Sequence, residues 1–322
     1  MIEYFDEARI TTLLDMPDLI EAEEAALAAF SRGEVAQPER TVMNVDRAGG
    51  FFLTMPAVAD AMGVKTVTLF PGNADLGLHT HHALITLFNP DTGAPLAVMD
   101  GRLITEMRTA AVSAVATRRL ADTDAHVLAI LGSGVQARSH LQAMRLVRDI
   151  DEVRVWSRTV KNAQAFADIH DATAMAAEDA VHGADIVVCA TSAMAPVCLG
   201  AWLKPGAHIN AVGWNTPNGR ELDDEAMWNA VVVEGRDAAL AGAGNIRGSD
   251  CAIYSEIGEI INGTAPPLPS GTTTIFDSVG MAVEDIAAAG LVMSKHQAHR
   301  CRYRRCVSYC VPNRANCLAE NT

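Results

Sequence analysis

The sequence predicts an α/β protein in which a doubly wound parallel sheet is joined to a separate α+β unit. Three observations carry this. Between about positions 121 and 276, apolar runs alternate with helix-patterned segments. One run, Val127–Leu131, ends in Gly132-Ser133-Gly134-Val135-Gln136-Ala137, a Gly-x-Gly-x-x-Ala turn that opens a helical pattern. From Phe51 to Asp100 the chain has instead short apolar runs separated by Pro, Gly and Asn, the texture of a sheet with tight turns.

Taken in order, Asp15-Met16-Pro17-Asp18 reads as a capped helix start, followed by an Ala/Glu-rich amphipathic run to Phe30. Val64–Leu69, Ala83–Phe88 and Leu96–Met99 read as strands, and Thr105 as the cap of a long helix to about Leu120. The parallel strands expected next are Val127–Leu131, Val153–Trp156, Ile186–Ala190, Ile209–Val212 and Val231–Val233, which gives a Rossmann-type sheet. A last helix, Val279–Ala289, is expected to return to the first unit. The expected domains are 1–118 plus 279–300, and 119–278. Residues 301–322 are set apart as an atypical, disordered tail, because from Arg300 onward five arginines and Cys301, Cys306, Cys310 and Cys317 crowd into a stretch without periodicity. Their spacing fits no standard zinc pattern.

Composition narrows the function. The 322 residues are 49% hydrophobic and 20% charged, enough for two packed domains. Lys+Arg 25 against Asp+Glu 39 leaves a net charge of −14, which disfavours nucleic acid and anionic membranes and leaves small molecules as the expected ligands. An acidic start at Met1–Asp6 and the lack of any long apolar stretch point to a soluble cytoplasmic protein. Cys189, Cys198 and Cys251 read as small buried hydrophobes.

The glycine turn brings backbone N–H groups and a helix N-terminus to a pyrophosphate, so a dinucleotide is expected at Gly132 and Gly134. After Val153–Trp156 comes Ser157-Arg158-Thr159 in place of the acid that would bind a ribose diol, a set suited to a 2′-phosphate. NADP(H) is therefore expected over NAD(H), which stays possible. Arg108 is expected in the first turn of its helix, where a guanidinium and a helix N-terminus together receive a carboxylate or phosphate. Lys65 interrupts a strand of few charges: facing inward it needs an anion, facing outward it is an edge lysine. His79-Thr80-His81-His82 has no acidic neighbour and reads as polar lining; no metal site is expected. Asn215 follows a parallel strand on the carboxyl edge, where such sheets bind ligands.

Val98–Gly101, Thr105-x-x-Arg108–Ala114, Leu131–Ala137 and Lys204–Gly213 together resemble the ornithine cyclodeaminase/mu-crystallin family, over about Glu7 to Leu291. The resemblance implies a dimerisation/substrate domain built from both chain ends, a Rossmann domain, and a homodimer. It places Arg40, Lys65 and Arg108 on the substrate carboxylate, and Arg108 beside the cofactor as well. Thr80, His81, Gly134, Val135, Gln136, Ser157, Arg158, Thr159, Asn162, Thr191, Gly213 and Ser278 fall on cofactor positions. One departure matters: cyclodeaminases of this family carry an Asp where this chain has Asn215, and an amide does not take up a proton at neutral pH. With Lys65, Arg108 and Asn215 as the catalytic set, the expected activity is NAD(P)H-dependent reduction of a cyclic ketimine carboxylate, a small imino acid, to the cyclic L-amino acid. Ornithine cyclodeaminase, an alanine-type dehydrogenase and a non-catalytic NADPH-dependent ligand binder are the alternatives.

Overall fold

The computed structural model describes residues 2–213 and 219–310, with side chains to residue 300. Asn215, expected at the site, lies outside the described residues. The chain opens with β1 (Glu3–Phe5), α1 (Glu7–Thr11) and α2 (Met16–Ser31). There follow β2 (Thr41–Val45), β3 (Gly50–Val58), β4 (Met62–Leu69), β5 (His81–Phe88), β6 (Pro95–Asp100) and α3 (Gly101–Leu120). The second half runs β7 (Val127–Leu131), α4 (Val135–Val147), β8 (Glu152–Trp156), α5 (Val160–His170), β9 (Thr173–Ala174), α6 (Ala177–Val181), β10 (Ile186–Cys189) and β11 (His208–Ala211). It ends with α7 (Asp224–Met227), β12 (Ala230–Val233), α8 (Arg236–Gly242), α9 (Gly244–Arg247), β13 (Ile253–Glu256), α10 (Ile257–Ile261), β14 (Thr274–Asp277) and α11 (Ala282–Cys310).

Two sheets result. Six strands in the order β1-β6-β5-β4-β3-β2 form the first, antiparallel except for the β1–β6 pair. Its inner face alternates as a pleat requires: Leu53, Met55, Lys65, Val67, Ile85, Leu87 and Met99 are all buried, beneath α3 and α11. Eight strands in the order β13-β12-β14-β11-β10-β7-β8-β9 form the second, and every pair in it is parallel. Its central strands β7, β10 and β11 are buried on both faces, which is why they read as unbroken apolar runs. Among the described residues no helix is long and apolar enough to cross a membrane.

Three expectations need correction. First, α3 begins at Gly101, not at Thr105, because the Asp100 side chain accepts the Arg102 N–H at 2.9 Å and so caps the helix a turn earlier. Arg108 therefore stands in the interior of the helix, beyond its first turn, and owes its place at the site to α11. Second, β14 lies in the middle of the parallel sheet, between β11 and β12; four residues ending in Asp277 give too weak an apolar signal to be read as a central strand. Third, α11 passes the composition break at residue 300 and continues to Cys310, its buried anchors Ile286, Ala289 and Val292 lying well upstream.

The cap can be tested directly. Asp100→Ala is expected to cost about 1 kcal/mol of stability in urea unfolding. Thr105→Ala, at the position the sequence pointed to, should stay within about 0.5 kcal/mol of the parent.

Candidate active site

Where the carboxyl edge of the parallel sheet meets the inner face of the first sheet, a cavity of about 730 Å³ opens. Arg40, Lys65 and Arg108 all line it. Lys65 points inward from β4, opposite Met55 and Ile85, and is buried. An unpaired buried ammonium would cost several kcal/mol, and Asp285 of α11 answers that with a contact of 2.5 Å from Nζ to Oδ2. The same carboxylate accepts from Arg108 Nε at 3.2 Å, while Arg108 Nη1 donates to Glu284 at 2.7 Å. Both acids sit in the first turn of α11, where the helix N-terminus favours negative charge. Arg40 is held differently: its Nη2 donates to the carbonyls of Val279 (2.8 Å) and Gly280 (2.5 Å).

The segment that carries those carbonyls is itself clamped. Glu234, buried just after β12, accepts the Ser278 hydroxyl (2.5 Å) and the N–H groups of Val279 (3.1 Å) and Gly280 (2.7 Å). Each basic group at the cavity thus has an internal partner and still has donors to spare, since a guanidinium carries five N–H groups and an ammonium three.

Electrostatics follow from burial first and charge second. Desolvation lowers Lys65 to about 8; Asp285 resists the fall, and Arg108 and Arg40 add to it. Burial likewise lowers His81 to about 4, helped by Lys65 and Arg108, so His81 is neutral at pH 7. Arg108 is buried too, but Asp285 and Glu284 outweigh that and raise it above the ordinary arginine range. Glu284 and Glu23, fully buried and close in charge to one another, are both pushed well above the usual carboxylate range by desolvation. Asp285 goes the other way, because Lys65 and Arg108 overcome its burial.

The expected cofactor residues divide into two groups. Thr80, His81, Val135, Gln136, Thr191, Gly213 and Ser278 line the same cavity as the three basic side chains. Gly132, Gly134, Ser157, Arg158, Thr159 and Asn162 do not; they stand at the ends of β7 and β8 and the starts of α4 and α5. These residues fit a dinucleotide. Gly132 has φ of +130°, and a side chain there would run into the Ala190 carbonyl. At the α4 N-terminus no side chain caps the helix, and a Cβ on Gly134 would meet nothing within 4 Å. Ser133 and Ser157 hydrogen-bond across the β7 and β8 ends at 2.9 Å, with Arg158 exposed beside them. Gln136 Oε1 and Thr105 Oγ1, buried on the cavity wall, have no hydrogen-bond partner among the described residues.

Asp285, Glu284, Glu234 and Glu23 were not among the expected residues. A signal existed for two of them, as Glu284-Asp285 is an acidic pair in an otherwise apolar helical run. His79 lines the cavity from the loop before β5, as polar lining. Among the described residues no group of three or more His, Cys, Asp or Glu is placed to hold a metal ion.

Residues 4–300 match the ornithine cyclodeaminase/mu-crystallin family. The chain belongs to that family. The mouse ketimine reductase mu-crystallin is 46% identical over 90% of this chain and 94% of its own length. Two solved structures have the same fold. Delta(1)-pyrroline-2-carboxylate reductase of Thermococcus litoralis, solved with NADH and L-proline, is 36% identical with a TM-score of 0.88, over 92% of this chain and 98% of its own. An archaeal alanine dehydrogenase dimer with bound NAD is 31% identical with a TM-score of 0.89, over 93% and 97%.

Asp285→Asn should lower the Lys65 pKa below its present value of about 8, because it removes the anion that opposes desolvation. Nitrogen-detected lysine NMR reads that midpoint, and a midpoint that does not move would contradict the pairing.

Proposed function

We propose that this oxidoreductase uses NADPH, in preference to NADH, to reduce a cyclic α-imino acid such as 1-pyrroline-2-carboxylate or 1-piperideine-2-carboxylate to the cyclic L-amino acid. The observation that carries this reading is the convergence of Arg40, Lys65 and Arg108 on one cavity at the carboxyl edge of the parallel sheet. The reaction class is supported by the ketimine reductase relative and by the relative solved with NADH and L-proline. A homodimer is proposed as well, in line with the dimeric archaeal relative.

In this reading the substrate carboxylate accepts hydrogen bonds from the remaining donors of Arg40 and Arg108 and from Lys65. Phe51, Leu53, Met55 and Val67, on the apolar wall, take the ring methylenes. Thr191, Gly213 and Ser278 would hold the nicotinamide end of the cofactor, which when bound would supply the hydride for the imine carbon. The ring nitrogen takes one proton, and the Lys65 ammonium is in the right place and near the right pKa to give it. Asp285 keeps Lys65 charged and aimed. Neutral His81 leaves the cationic work to the other three. Ser157, Arg158 and Thr159 are assigned to the 2′-phosphate, and Thr191, Gly213 and Ser278 to the nicotinamide end. An amide at position 215 fits reduction better than ring closure with ammonia loss, which needs a proton acceptor there.

The assay is oxidation of NADPH and NADH with each imine. Wild-type enzyme should turn over both rings, and Lys65→Met should lose roughly 10²–10⁴-fold in kcat/KM, the usual worth of a positioned proton donor. Lys65 must be protonated to act and its pKa lies below that of an ordinary lysine, so kcat/KM should be level below about pH 8 and fall as the pH rises through it. Ammonia release from ornithine, with no reduction of either imine, would overturn the assignment. Arg158→Ala should cut the preference for NADPH over NADH by roughly tenfold, the worth of one charge-assisted contact.

A further inference from the structure

The hydrogen-bond ladder between β10 and β11 ends at the cavity wall. Its last rung is Val212 N–H to Cys189 C=O, and beyond it the N–H groups of Thr191 and Gly213 have no opposing carbonyl. One buried side chain takes both. Glu221 Oε1 accepts the Thr191 N–H (2.7 Å) and the Thr191 hydroxyl (2.6 Å), and Oε2 accepts the Gly213 N–H (2.8 Å). The fit excludes any bulk at Gly213, where a Cβ would run into the Glu221 carboxyl and the Thr191 carbonyl.

Glu221 is fixed in turn from behind. Asn245 Oδ1 accepts the N–H groups of Glu221 (2.8 Å) and Leu222 (3.1 Å), and its Nδ2 donates to Asp277 Oδ2 at 2.9 Å. A chain of polar contacts therefore crosses the ends of β10, β11 and β14, each of which runs into a cavity-lining residue: Thr191, Gly213 and Ser278.

We propose that Glu221 is a positioning residue, a carboxylate rung that sets Thr191 and Gly213 at the distance and orientation in which they receive the nicotinamide end of the cofactor. The inference rests on the cofactor reading given above. Only an acceptor with two oxygens and several lone pairs can replace a missing ladder rung and hold a hydroxyl as well. With its proton committed to Glu221, the Thr191 hydroxyl offers its lone pairs elsewhere; one takes the Ala193 N–H at 3.2 Å, and Thr191 presents an acceptor, not a donor, toward a carboxamide in the cavity. Burial pushes the Glu221 carboxyl up to about 7 against the pull of its three donors, so at pH 8 the ionised rung outnumbers the protonated form about tenfold.

The test is Glu221→Gln at pH 8, with cofactor affinity read from the fluorescence of bound NADH and NADPH, alongside steady-state kinetics and thermal melting. A glutamine turns an NH₂ toward a backbone N–H, so the Kd and KM for both cofactors should rise about tenfold, the effect of one unsatisfied buried donor. Turnover at saturating cofactor should change by less than about threefold, because the proton donor and the carboxylate clamp are untouched. Should the amide variant fail to fold, Glu221→Asp keeps the charge, shortens the reach, and carries the same expected split between KM and kcat. A folded variant that melts lower yet keeps wild-type cofactor Kd and KM would overturn the proposal and leave Glu221 a purely structural brace. Wild-type protein that binds neither cofactor would overturn the underlying functional reading, and this inference with it.

Discussion

The buried contact between Lys65 and Arg108 on one side and Asp285 and Glu284 on the other is the constraint on which the rest of the structure depends. Two cations from different elements, a strand of the antiparallel sheet and a long helix, are drawn to the first turn of a third. Burying any one of these charges alone would be prohibitive. Together they fix where α11 begins, and with it the loop Ser278–Met281 that joins the parallel sheet to the first sheet's helices. That loop is gripped from both sides, its N–H groups by Glu234 and its carbonyls by Arg40. The cavity is consequently the seam between the two sheets, and its walls come from both.

The pairing also sets the charge the site offers. Arg40, Lys65 and Arg108 face the ionised Asp285 and, across the Ser278–Gly280 loop, Glu234, while burial pushes Glu284 and Glu23 alike well above the usual carboxylate range. A site built this way is not a bare positive sink for any anion. It offers directed donors instead. The same balance leaves Lys65 poised to lose a proton near neutral pH, where a fully exposed lysine would hold it firmly.

Much of this was legible in the chain and some was not, for physical reasons. β7, β10, β11 and β12 are short, apolar and buried, and their alternation with helices specifies a parallel sheet before any coordinate is known. The glycine turn at Gly132–Gly134 was legible as the passage from β7 into α4, and Gly132 meets its demand: a φ of +130° and no room for a side chain beside the Ala190 carbonyl. Lys65 and Arg108 could be picked out as charges in apolar surroundings and Arg40 only through the family resemblance, and the structure places all three around one cavity. Which way Lys65 faced could not be read, since pleat orientation depends on its partner strands. The start of α3 was misplaced because Asp100 and Thr105 are both good caps and only tertiary packing chooses between them. β14 and the acids Glu221, Glu234 and Glu23 stayed hidden because a buried carboxylate looks like a surface one until its partners, far away in sequence, are known.

The most direct measurement is a crystal structure of the protein with NADPH and L-proline, the cyclic amino acid standing for the product. The account predicts the proline carboxylate within hydrogen-bond distance of Arg40, Lys65 and Arg108, with Lys65 and Arg108 still held by Asp285 and Glu284 and the ring carbon facing the nicotinamide. A carboxylate bound elsewhere, with those three side chains turned away from the ligand, would contradict it.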